Sequence, residues 1–217
     1  MTGLALHGVE IAWAGSGRVL VPALDLAVAP GEAATIMGPS GSGKSTLLAH
    51  IGGFLDRTAF LGRGRVLIDA IDITALPPEL RRTGILFQDD LLFPHLSVGG
   101  NLLFGLPATV RGHAARRAAV KAALDQTGLS GFAERDPATL SGGQRARVAL
   151  LRTLIAEPRA LLLDEPFSKL DAALRAEFRS FVFRHARERR LPTLLVTHDA
   201  ADASAAGGPV IELEAKH

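Results

Sequence analysis

The stretch "GPSGSGKST" at 38–46 constrains this chain more than any other, because it joins an apolar run, "EAATIM", to a helical one, "LLAHIGGF". A strand that ends in a glycine-rich loop and restarts as a helix aims free backbone N–H groups and the positive end of the helix dipole at one point. That arrangement is a cradle for anions. The residues are Gly38, Pro39, Ser40, Gly41, Ser42, Gly43, Lys44, Ser45 and Thr46. Glycines let the backbone curl around phosphate oxygens, Lys44 reaches the β- and γ-phosphates, and the Ser45 hydroxyl suits Mg²⁺. Average residue usage produces this pattern by chance in roughly one chain of this length in a hundred, so an ordinary glycine-rich turn is the weaker reading.

Around the loop, "GILFQ" at 84–88, "ALLLDE" at 160–165 and "TLLVTH" at 193–198 share the continuous hydrophobicity of strands covered on both faces. Alternating with helical patterns, they predict a parallel sheet flanked by helices. "LALHGVEIAW", "RVLVPALDLAV" and "RGRVLIDAIDI" are instead separated by glycine-rich or Pro-Gly turns and predict a small antiparallel sheet. Residues 95–130 read as helical, most clearly in "AARRAAVKAALDQTGL". The fold class is therefore α/β, a parallel-sheet core with an N-terminal antiparallel β subdomain and an inserted α-helical subdomain. The alanine-rich, glycine-containing tail at 200–208 reads as loose.

Four polar side chains stand where these strands end. Asp164 can hold a metal or its water, and Glu165 can orient or deprotonate an attacking water. Gln88 and His198 close their own runs, and ligands of open α/β sheets sit at the carboxyl ends of the strands. Glutamine there suits metal and water, and histidine a γ-phosphate; a satisfied polar strand end is the bland alternative for each. "LSGGQ" at 140–144 then opens a further helical run with a serine and two glycines, a second anion nest.

Composition narrows the rest. The 217 residues suffice for one well-buried domain, and a net charge of +2 gives no footprint for nucleic acid. The most basic run, "RHARERR" at 184–190, reads as one solvated helix face. With no cysteine, disulfides and thiolate chemistry are excluded. The N-terminus lacks the basic start and apolar run of a signal peptide, and no stretch reaches the length of a membrane span. His7, His50, His95, His113 and His185 show no metal-ligand spacing and read as surface or satisfied core residues.

The ordered set "GPSGSGKST", Gln88, "LSGGQ", "LLLDEP", "SKLD" and His198 resembles the ATP-binding-cassette (ABC) ATPases over essentially the whole chain. The resemblance implies a head-to-tail dimer, with a second copy or a paralogous subunit, in which each ATP lies between the first cradle of one subunit and the signature loop of the other. It implies ATP and Mg²⁺ as ligands, the metal on Ser45, Gln88 and Asp164, and catalysis by Glu165, His198, Gln88 and Lys44. Ser141, Gly142, Gly143 and Gln144 would face the partner's ATP, and Asp171 would link the two sites. Trp13 matches the aromatic that stacks on adenine, a role its π face suits. Lys169 stands where the family usually has alanine.

"FQDDLLFPHLSVGGNLLFGLPATVRG" is similar to ATPase subunits of bacterial importers in the polyamine, iron and thiamine group, although Gly100 replaces their usual glutamate. Longer stretches resemble the Ynj-type importer ATPases. The resemblance implies a motor that drives an integral membrane permease, served indirectly by an extracytoplasmic solute-binding protein. It would be cytoplasmic and peripheral on the inner face of the cell membrane. An exporter or lipid-release motor shares every catalytic residue and stays open; a nucleic-acid-associated ATPase would bring insertions or basic arms, and none is visible. The expected organisation is a single ATPase domain over 1–217, with core and β subdomain at about 1–90 and 141–217, helical subdomain at about 91–140, and no C-terminal regulatory domain.

Overall fold

The computed structural model describes residues 3–214. In chain order they form β1 (Leu4–Trp13), β2 (Val19–Val28), β3 (Ala33–Met37), α1 (Lys44–Gly52), β4 (Phe60–Ile68), β5 (Ile71–Asp72), α2 (Pro78–Arg81) and β6 (Thr83–Leu86). There follow α3 (Val98–Gly105), α4 (His113–Asp125), α5 (Gly142–Ile155), β7 (Ala160–Asp164), α6 (Ala172–Glu188), β8 (Thr193–Val196), α7 (Ala200–Ala206) and β9 (Val210–Glu212). The chain divides into two compact units. One comprises Met1–Ile85, Arg159–Glu165 and Arg179–His217, and the other Leu86–Pro158 and Pro166–Phe178. The second unit is wider than residues 91–140, since it takes in the helix after "LSGGQ" and the "SKLD" segment.

The first unit contains an antiparallel sheet ordered β2-β1-β4-β5, and the remaining strands form a second sheet ordered β6-β7-β8-β3-β9. β8 pairs in parallel with β7 on one side and β3 on the other. Buried apolar side chains at nearly every position of β3, β7 and β8 agree with a sheet covered on both faces. Leu4, Ile11 and Val21 of the antiparallel sheet join Ile36, Leu48, Leu162 and Leu194 in one core. Each such side chain contributes roughly 1.5–3 kcal/mol by leaving water. "RGRVLIDAIDI", expected as one strand, is two: Asp69 and Ala70 both have positive φ, and Ile68 pairs with Ile71 across a two-residue hairpin turn.

The tail is not loose. Asp199 accepts a hydrogen bond from the Ala201 N–H at 2.7 Å and caps α7, and β9 then pairs in parallel with β3. Alanine favours helix once a cap supplies the first turn, a combination that outweighs the nearby glycines. Asp202 is buried and accepts from Arg179 Nη1 at 2.8 Å and from Thr197 Oγ1 at 3.2 Å. The basic run at 184–190 does present a solvated face: Arg184, Arg187, Arg189 and Arg190 are exposed, while His185 and Ala186 are buried on the other side. Not all the remaining histidines are satisfied. Nε2 of His50 and of His185 is buried without a partner, one ring lying against Gly62 and the other edge-on to Phe181 at 4.5 Å, where no polar group reaches it.

The second unit packs α3, α4 and α5 around Val98, Leu102, Val120, Leu124, Val148 and Leu151. Asn101, fully buried, pins the preceding loop: its Oδ1 accepts from the Phe93 N–H and its Nδ2 donates to the carbonyls of Phe93, Leu96 and Ser97. Among the described residues, no helix is long and apolar enough to cross a membrane.

Removing one member of a buried ion pair strands the other. Asp202→Ala should therefore lower unfolding free energy by about 3 kcal/mol in equilibrium urea denaturation, whereas a loss under about 0.5 kcal/mol would mean that the pair does not anchor α7.

Candidate functional site

Strand register builds the site in the first unit. Val196 stands opposite Ile36 on one side and Asp164 on the other, so β3, β8 and β7 end at a common edge. Each chain leaves that edge carrying its functional group: the phosphate loop after Met37, Asp164 and Glu165 after Leu163, and His198 after Thr197.

Close packing shapes the loop. Gly43 precedes α1 with φ 91°, and a β-carbon there would lie 2.6 Å from Val21 Cγ2; one on Gly38 would lie 2.4 Å from the Leu213 carbonyl oxygen. No side chain caps α1, so its first amides stay open to a ligand. Lys44, only 6% exposed, donates from Nζ to the carbonyls of Gly38 at 2.8 Å and Pro39 at 2.9 Å. Ser42 Oγ, within the loop, is buried without a partner. Pro39, Ser40, Gly41 and Ser45 are exposed, and Thr46 is half-buried.

Ser45 Oγ donates to Asp164 Oδ1 at 3.0 Å, which brings two hard oxygen ligands together. Burial pushes the Asp164 carboxyl above its ordinary range; the Ser45 hydroxyl opposes this, Glu165 adds to it and Lys44 opposes it. Glu165 adopts φ 47°, a left-handed conformation that costs about 1–2 kcal/mol, and its N–H donates to the Val196 carbonyl at 2.9 Å. His198 Nδ1 lies 3.1 Å from Glu165 Oε1. The strained turn thus presents a carboxylate with an imidazole against it, a pairing able to orient a water and take its proton. Trp13 is 39% exposed and lies against Phe60 with ring centroids 4.7 Å apart, which leaves aromatic surface for a ligand.

Gln88, Ser141, Gly142, Gly143, Gln144 and Asp171 belong to the second unit. Ser141 Oγ accepts from the Gln144 N–H at 3.3 Å, and Gln144 Oε1 accepts from the Ser141 N–H at 3.0 Å, a reciprocal capping box on α5. Asp171 Oδ1 accepts from the Leu174 N–H at 3.1 Å in the first turn of α6. Gln88 is exposed, two residues past β6. Its neighbours are fastened: Asp89 pairs with Lys169, and Asp90 accepts from Arg145 Nε at 3.0 Å. Sequence reading assigned no part to Asp89, Asp90 or Arg145. The signal was present in two acids directly after Gln88 and an arginine directly after Gln144.

Comparison with known proteins agrees with this geometry. A family model described as ABC transporter matches residues 21–168. The chain is 53% identical over 186 residues to the uncharacterized ABC transporter ATP-binding protein YnjD of Escherichia coli K12, covering 86% of this chain and 85% of that protein. It is 46% identical over 179 residues to the thiamine import ATP-binding protein ThiQ of Salmonella typhimurium, covering 82% and 74%. It is 45% identical over 180 residues to the sulfate/thiosulfate import ATP-binding protein CysA of Mycobacterium bovis, covering 83% of this chain but only 50% of CysA. Among solved structures, that of the dimeric bacterial ABC transporter cassette MJ0796 matches with TM-score 0.79 and 32% identity, over 97% of this chain and 94% of that one. A phosphate loop and a carboxylate–imidazole pair at one sheet edge, with a capped "LSGGQ" helix in the second unit, accompany these matches: the chain belongs to the ABC transporter family, as an ATP-binding and ATP-hydrolysing cassette.

Proposed function

We propose that this cassette is the motor of a bacterial importer for a small solute, working as a head-to-tail dimer on an integral membrane permease at the inner face of the cell membrane. The observation that carries the catalytic part is the shared strand edge where Lys44, Ser45, Asp164, Glu165 and His198 meet. The import ATPases among its relatives support the direction of transport.

In this reading Trp13 stacks on adenine. The loop amides of 38–46 and Lys44 take the phosphates, Lys44 exchanging two carbonyl partners for phosphate oxygens. The unpartnered Ser42 hydroxyl and the adjacent Ser45 and Asp164 oxygens fit a phosphate-bound Mg²⁺ complex. The metal would be held by Ser45 and Asp164, and when bound it would supply positive charge to the phosphate oxygens. Glu165 accepts a proton from the attacking water, whose oxygen bonds to the γ-phosphorus as the bond to the ADP oxygen breaks. His198 steadies Glu165 and donates to the γ-phosphate.

Ser141 and the amides of Gly142 and Gly143 would meet the partner's γ-phosphate, with Asp171 at the interface between copies. ATP then favours the closed dimer because it binds both subunits, and loss of the γ-phosphate contacts reopens it. In the second unit a cavity of about 610 Å³ lined by Leu103, Val120 and Leu124, with Phe104 exposed nearby in sequence, supports docking of a permease's cytoplasmic loop.

Glu165→Gln should retain ATP and accumulate dimers on sizing columns while turnover falls by about 10²–10⁴-fold; turnover at the wild-type rate would remove Glu165 from its role. Lys44→Ala should weaken ATP binding at least about tenfold by titration, the loss of one charge-assisted contact. Wild-type activity should rise more than linearly with protein concentration. Strict proportionality from a monomer would overturn the shared-site mechanism.

A further inference from the structure

At the opposite end of α1 from the phosphate loop lies a cavity of about 320 Å³, lined by His50, Arg57, Phe60, Leu61, Thr74 and Arg81 among others. No carboxylate stands in that lining among the described residues. Asp72, whose charge acts on Arg81, has its Oδ1 taken by Thr74, and Asp56, next in sequence to Arg57, has its Oδ1 taken by Thr58.

Arg81 is 3% exposed, and its hydrogen bonds go to uncharged acceptors. Nε donates to the Leu76 carbonyl, Nη1 to those of His50 and Ile51, and Nη2 to that of Thr74, at 2.6–2.9 Å. Two of these carbonyls belong to the last turn of α1 and bring the negative end of its dipole, worth about half a charge. The guanidinium is thereby solvated but not neutralised, and one of its five N–H groups remains over. Arg57 adds a second positive charge, which acts on both Arg81 and His50. His50 is buried, packed so closely over Gly62 that a β-carbon there would lie 2.3 Å from Nδ1, and its Nε2 has no partner. Capping α1 accounts for Arg81. It accounts neither for Arg57 nor for an unpartnered imidazole beside two cations.

We propose that this cavity is a binding site for a small tetrahedral oxyanion of the sulfate or phosphate class, held by Arg57, Arg81 and His50. The anion supplies the missing countercharge and accepts hydrogen bonds from the last N–H of Arg81, from Arg57 and from protonated His50. The site is separate from the nucleotide loop and does not rest on the transport mechanism.

Binding and protonation are linked. Burial first, then Arg81 and Arg57, hold the His50 imidazole below its ordinary range. An anion opposes the two arginines, so binding raises the His50 pKa and affinity must fall as pH rises through it. Sulfate is the suitable probe because its charge stays constant over this range.

The test uses full-length protein carrying Lys44→Ala, so that sulfate at the nucleotide loop is weakened, and follows the His50 ring by NMR between about pH 5 and pH 7. Chloride at matched ionic strength is the control, and His50→Gln identifies the resonance. We expect a saturable sulfate-dependent shift at His50, a raised His50 pKa, and about tenfold weaker binding in Arg57→Ala. Arg57 is exposed, so that variant keeps the fold even if His50→Gln does not, and circular dichroism checks it. A His50 signal indifferent to sulfate, or an unchanged affinity in Arg57→Ala, overturns the site. Equal response to acetate at matched ionic strength overturns the choice of a tetrahedral oxyanion in favour of a carboxylate.

Discussion

The parallel register that sets Ile36 beside Val196 and Val196 beside Asp164 is the constraint on which the catalytic edge depends. Parallel strands must send their carboxyl ends to one side, and each connection must cross back over the sheet. The phosphate loop, the Asp164–Glu165 pair and His198 are separated by more than a hundred residues of chain at the extremes, yet one hydrogen-bonding pattern brings them together. Burial on both sheet faces makes that register stringent, because slipping a strand would expose Leu162 or Leu194 and displace the edge together.

The first unit shields several cations, Lys44 and Arg81 buried and Arg179 partly so, and handles each differently. Lys44 is held by two loop carbonyls that a phosphate can replace, Arg179 is neutralised by Asp202, and Arg81 is solvated by carbonyls alone. The two ends of α1 are therefore unlike. Its N-terminus offers uncapped amides to an anionic substrate, and its C-terminus is covered by a guanidinium with charge to spare. The orphaned His50 nitrogen belongs to that second end, where burial first, and then the charges of Arg81 and Arg57, lower the pKa of the ring.

The two nests look alike as sequence and differ as structure. The first contains Gly43 in a left-handed conformation at the start of α1 and has no side-chain cap. The second is closed locally by the reciprocal bonds of Ser141 and Gln144, and the loop after Gln88 is tied within the same unit through Asp90 to Arg145 on the same helix, while Asp89 is tied to Lys169 near Asp171. An uncapped nest suits a ligand bound deep in its own unit, whereas a pre-formed cap keeps a serine and glycine amides in place for a ligand arriving from outside. The proposed division of labour between copies follows that difference.

Much of this was legible in the residues themselves. The parallel strands, the loop at 38–46 and the "LSGGQ" helix could be read because strand burial, glycine geometry and helix capping are local and leave periodic or compositional marks. Tertiary structure alone decided the rest. It anchored the helix of the alanine-rich tail through the distant Arg179–Asp202 pair, placed strained Glu165 against His198, and left His50 Nε2 without a partner beside Arg57 and Arg81. Ion pairs, left-handed backbone outside glycine and uncompensated charge depend on which chain segments meet, and no pattern within a single segment encodes that meeting.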